Sequence, residues 1–164
     1  MDATHLHLLL NHFPIIGTLI GTVIIIYGFI KNESKIKELS AYIIAAMALI
    51  ALPVFFTGEP AEESVENIAG IAESAIELHG EAAELAIILM SVTGLMALIS
   101  LIVNKLKPAL ANKFYLVVLL FSILSFVSMA RVGYLGGKIR HTELNTSSTN
   151  QSLPSNGGEQ EEED

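Results

Sequence analysis

The sequence contains no cysteine, which excludes disulfides, cysteine-ligated zinc, iron–sulfur clusters and thioether-attached haem. Tryptophan is missing too, so any aromatic belt at a membrane interface must be built from Tyr and Phe. Charge is scarce: 16% of the 164 residues are Asp, Glu, Lys or Arg, against about 25% in a soluble domain. Basic residues are scarcer still, 9 against 17 acidic. The acidic ones collect in one loop and at the C-terminus, which argues against a nucleic-acid partner. No nucleophile–base pair and no Glu-x-x-His occurs. The chain therefore reads as a carrier or a subunit rather than an enzyme.

What is present is apolar, 52% of the chain, and clustered. Four runs approach the ~20 residues needed to cross the hydrocarbon core of a bilayer. They predict spans at about 6–30, 41–57, 82–103 and 114–135, none with Lys or Arg in its central turns. Soluble helices of this length carry a polar stripe, and these do not. The expected fold is all-α, an integral membrane four-helix bundle occupying 1–141.

Orientation follows from the loops. Lys31, Lys35 and Lys37 lie between the first two spans, and Lys105, Lys107 and Lys113 between the last two. The connection between spans two and three holds Glu59, Glu62, Glu63, Glu66, Glu73 and Glu77 with no Lys or Arg. Positive charge marks the cytoplasmic side, so both termini and the acidic loop are expected outside. The N-terminus lacks a basic leader region and a small-residue cleavage pattern, so the first span reads as a retained anchor. Arg131, Lys138 and Arg140 depart from the charge rule and become functional candidates.

Within 58–80, Pro60 suits a helix start, and Val65, Ile68, Ala72, Ala75 and His79 recur every three or four residues. This spacing predicts an outer-side amphipathic helix over the bundle. Residues 142–164 are polar, end in acidic residues and are expected to form a disordered tail.

All five histidines fall on the predicted outer side: His5, His7 and His12 before or at the start of span one, His79 before span three, and His141 after span four. Neutral imidazole is both the commonest metal ligand and a haem axial ligand, and helical bundles build cofactor sites from facing helices. On a helix, His5 and His12 share a face while His7 points to the opposite side, with Asn11. In span four, Gly133 and Gly137 stand four apart with Gly136 beside them, a stripe that admits a backbone or a flat macrocycle. Arg131, Lys138 and Arg140 lie at the same level and suit anionic groups. Gly17 and Gly21 in span one fit plain helix packing.

The start His7-Leu8-Leu9-Leu10-Asn11-His12-Phe13-Pro14-Ile15 resembles that of a family of bacterial inner-membrane proteins. The family has four spans, formally unknown function and an opening His-Pro-x-x-x-His-Phe-Pro-Ile. Phe56-Thr57-Gly58, His79 and the pair Gly136-Gly137 agree with it. Leu8 stands where the family has Pro, and GGKIRHTE replaces a Tyr-containing segment. The resemblance implies a bacterial plasma-membrane location and haem b binding, carried over to His7, His12, His79 and His141. His5 has no counterpart in the motif.

Together these features lead to a membrane b-type cytochrome or haem-binding subunit acting at the outer face. The pairings to expect are His12–His79 first and His7–His141 second. With no histidine near the inner ends, electrons would leave sideways, to quinone or to a redox partner protein, in a homo- or hetero-oligomer. The competing expectations are a copper or zinc site, in which His5 also takes part, and a structural subunit of a respiratory complex. No mid-membrane charge or broken helix marks a transport path.

Overall fold

The computed structural model describes residues 3–66 and 73–140 of the chain. Every regular element among them is an α-helix: α1 (Ala3–Leu10), α2 (His12–Ile30), α3 (Ser34–Phe56), α4 (Gly58–Glu66), α5 (Glu73–Leu106) and α6 (Pro108–Arg140). His141, the tail at 142–164 and part of the predicted amphipathic helix at 67–72 lie outside the described residues. Four stretches are long and apolar enough to cross a membrane: His5–Ile30, Ser34–Phe56, Glu73–Leu106 and Pro108–Ile139. The protein is a multi-pass membrane helical bundle.

Three of the spans overrun their sequence estimates. At 1.5 Å per residue, α5 and α6 are each about 50 Å long, well beyond the ~30 Å hydrocarbon core. The surplus lies in interfacial turns whose composition is too polar to register as a span, such as 34–40 and 73–81. Pro108 opens α6, where a missing N–H costs nothing, leaving Lys107 alone between α5 and α6.

The turn between α2 and α3 is equally tight. Asn32 takes a left-handed backbone with φ of 52°. The Glu33 N–H donates to Gly28 O at 2.9 Å and the Asn32 N–H to Phe29 O at 3.1 Å. This pair of bonds caps the carbonyl end of α2.

The helices form a ring in which α2 packs on α3 and α6, and α5 on α3 and α6. Close approach comes from small residues. Gly94 faces Ala48, Gly21 lies under Ile44 and Gly17 lies under Met47, as the packing role expected of the span-one glycines requires. Ile25, Ile44, Met90 and Val118 fill the centre. Hydroxyls bind the helices across the apolar interior: Thr22 Oγ1 to Ser122 Oγ at 3.0 Å, Thr93 Oγ1 to Ser125 Oγ at 2.7 Å, and Ser40 Oγ to Gly21 O at 2.7 Å. Such bonds contribute about 0.6 kcal/mol each in a bilayer.

The two ends of the bundle differ in chemistry. At the lysine end, Lys37 is only 2% exposed. Its Nζ donates to Asn112 Oδ1 at 2.6 Å and lies 5.0 Å from the centre of the Phe29 ring. Ser34 bonds Asn104 at the same end. All four described histidines lie at the other end, where α1 packs against α4.

Candidate cofactor site at the histidine end

Pro14 and Pro53 begin the account of this end. Neither can donate a backbone N–H, so the carbonyls of Leu10 and Leu49 lose their helical partners one turn earlier. The chain is interrupted at Asn11, between α1 and α2, and α3 ends three residues after Pro53. A helix end leaves its last carbonyls without intrahelical donors, and side chains take them up here. The Thr57 hydroxyl donates to Pro53 O at 2.9 Å and to Val54 O at 3.0 Å.

His7 uses the same carbonyl. Its Nδ1 lies 3.0 Å from Val54 O. Across the bundle, His79 Nδ1 lies 3.2 Å from Val132 O on α6. A carbonyl can only accept, so both rings must carry their proton on Nδ1. In the neutral ring, each Nε2 is then left with its lone pair. A histidine fixed by an Nδ1–H bond to a backbone carbonyl has the arrangement found in ligating histidines.

Gly136 explains how His79 reaches α6. A Cβ there would lie 3.1 Å from His79 Cε1, so a side chain would make the ring give by a few tenths of an ångström. Gly58 faces His7 in a looser way, at 3.6 Å. Gly133 contacts Ile15, while Gly137 has open space around it.

Both histidines line one cavity of about 990 Å³. It lies among α1, α2, α3, α4, α5 and α6, with Ile15, Val54, Ile87 and Val132 among its apolar walls. Its volume reaches the top of the ~300–1,000 Å³ range of small-molecule and cofactor clefts. Glu59, Glu62 and Glu84 also line it, with no Lys or Arg among the described lining residues. Glu62 Oε1 lies 4.0 Å from His79 Nε2, with the two side chains 30% and 12% exposed. Because His79 holds its proton on Nδ1, this is an approach between a carboxyl and a lone pair rather than an ion pair. Burial, and then the neighbouring Glu59, push the Glu62 carboxyl above its ordinary value. Asn11 Oδ1 is buried in the same wall and has no partner among the described residues.

The sequence candidates divide accordingly. His7, His12, His79, Gly133 and Gly137 all border the cavity. His12 is exposed at its edge and also lines a shallower groove of about 340 Å³ with Phe13, Ile16, Gly17, Ile20 and Met47. His5 is exposed outside the cavity, as is Arg131. Arg140 ends α6 one residue beyond the lining residue Ile139, and its side chain, like His141, lies outside the described residues. Lys138 turns its ammonium over the Tyr134 ring at 4.9 Å.

Sequence reading had not singled out Glu62 or the carbonyls of Val54 and Val132. Glu62 was visible only as one acid among six in a loop. Main-chain acceptors leave no mark in a sequence.

Comparison with protein-family models, with curated proteins and with solved structures gives no match to this chain. The resemblance described above therefore rests on the motif residues themselves.

Proposed function

We propose that the histidine-end cavity binds haem b, with His7 and His79 as axial ligands, and that the protein is a membrane electron-transfer protein or the haem-binding subunit of one. One observation carries this reading: two imidazoles from different helices, each held by an Nδ1–H bond to a carbonyl, border a single cofactor-sized cavity. This pairing takes one member from each of the two pairings the sequence suggests.

The donor set fits haem better than a bare ion. Among the described residues no three of His, Cys, Asp and Glu converge as a metal-ligand group. Structural zinc requires four protein ligands and catalytic zinc three, whereas a haem iron needs only its axial positions filled. Bound here, haem would supply a one-electron couple at the membrane surface. The chain's part would be to hold both rings in one tautomer, to surround the macrocycle with apolar wall, and to leave room beside Gly137. Glu59, Glu62 and Glu84 would disfavour anionic propionates beside them.

Lysine placement supports a histidine end and both termini that face outside, and the motif resemblance supports a bacterial plasma membrane. The electron acceptor or donor would then be a quinone or a second protein at that face. The approach of Glu62 to His79 Nε2 at 4.0 Å favours one competing reading, a copper or zinc ion held by His79 and Glu62 with water.

The deciding measurement is a reduced-minus-oxidised visible spectrum of the detergent-purified protein, with elemental analysis of the same sample. A b-type α-band is expected, lost in His7→Ala and in His79→Ala and kept in His12→Ala. A colourless preparation with stoichiometric copper or zinc would replace haem by the ion.

A further inference from the structure

The His7–His79 pair leaves two polar residues of the same wall unused, Asn11 and His12. They are consecutive at the break between α1 and α2, and both border the cavity. Asn11 Oδ1 is buried with no partner among the described residues, a state that is costly unless a ligand or water completes it. His12 belongs to two spaces at once: the cavity, and the groove running down the outside of α2 along Phe13, Ile16 and Ile20 to Met47 on α3. Phe13, Ile16 and Ile20 are each about half exposed and belong to a membrane-crossing stretch, so the groove faces lipid. A polar-headed wall thus continues into an apolar channel at bilayer depth.

We propose that Asn11 and His12 bind the head of an isoprenoid quinone or quinol whose tail lies in the Phe13–Ile16–Ile20–Met47 groove. The chemistry selects this class of lipid. Among the described residues no Lys or Arg lines either space, and Glu59, Glu62 and Glu84 line the cavity, so a phosphate head would meet carboxylates there. A quinone head is uncharged and needs only hydrogen bonds. An amide offers both kinds, an oxygen that accepts from a quinol O–H and an NH₂ that donates to a quinone carbonyl. Imidazole does the same through its two nitrogens. Access from the side of the bilayer agrees with the lack of any described histidine at the lysine end. As the electron source for the haem, this site rests on the preceding reading; as a binding site it stands by itself.

The test is photolabelling of the full chain in lipid nanodiscs with an arylazido benzoquinone bearing a decyl tail, with the haem spectrum recorded on the same samples. Label is expected within residues 11–20 and is displaced by unlabelled decyl-quinone. The double variant Asn11→Leu, His12→Leu removes two hydrogen-bonding groups and should weaken labelling on the order of tenfold. Ile16→Trp, at a half-exposed lipid-facing position, should block the groove without unfolding the bundle. Ile16→Trp, outside the cavity lining, should keep the haem band. Label spread over other segments overturns the proposal, as does label within 11–20 that ignores both variants, the pattern of a generic lipid. Labelling as expected in a protein without haem supports this site and removes the haem reading. A haem band with no specific label does the reverse.

Discussion

His79 stands where a side chain at residue 136 would have to be: a Cβ on Gly136 would lie 3.1 Å from His79 Cε1. The contact couples two helices through one missing methyl group. Gly136→Ala gains up to about 1 kcal/mol of helix propensity, and it pushes the ring off its bond to Val132 O. The expected result is a melting temperature near that of the wild type with a lost or shifted haem band. Gly137→Ala, with no heavy atom within 4 Å of the added carbon, should keep the band. Absorbance spectra and thermal melts in the same detergent separate the two.

Glu62 gives the molecule a pH dependence of known sign. Burial and then Glu59 raise its carboxyl above the ordinary 4.5, so the fold favours the protonated acid. The stabilisation is whole below the unfolded value and is lost as pH rises through the folded one. Glu62→Gln removes that loss. The variant should melt higher than wild type at pH 7–8, and the difference should vanish near pH 4. A series of melts over that range measures it, and a difference that grows toward acid would contradict the assignment.

Asn32 is the left-handed residue of the α2–α3 turn. Asn32→Ala puts an ordinary side chain where it costs about 1–2 kcal/mol, while Asn32→Gly should be neutral or slightly stabilising. Unfolding in mixed micelles of increasing denaturing detergent reads the order Gly ≥ Asn > Ala.

Lys37 should be more sensitive to its partner than to its own removal. Asn112→Leu leaves a buried ammonium without its 2.6 Å acceptor and should destabilise by about 1.5–3 kcal/mol, the range for hydrogen bonds to charged groups. Lys37→Met keeps the volume and discards the charge, so it should cost less. The same unfolding assay ranks them, and equal losses would count against the buried-charge argument.

Much of the fold was legible because its signals are local. Four apolar runs and two lysine-bearing turns appear in any window of 20 residues, and each has its counterpart in the ring of α2, α3, α5 and α6. The site was only half legible. A helical wheel placed His7 opposite His5 and His12, but it cannot say which side meets a neighbour. That depends on α3 ending beside His7, with Val54 O left open. His79 was picked out by its position before a span, yet its partner is a carbonyl 53 residues away. Arg131 drew attention because its charge broke the topology rule, and it proves to be exposed outside the cavity. Charge rules locate a residue along the membrane normal and say nothing of its direction around a helix.

The tight turns have a mechanical consequence. At the lysine end, one residue joins α5 to α6 and three join α2 to α3, and Lys37 and Ser34 add cross-links there. The bundle is therefore clamped at that end like a pair of tongs. The other end is built differently, with residues of the short helices α1 and α4 bordering the cavity.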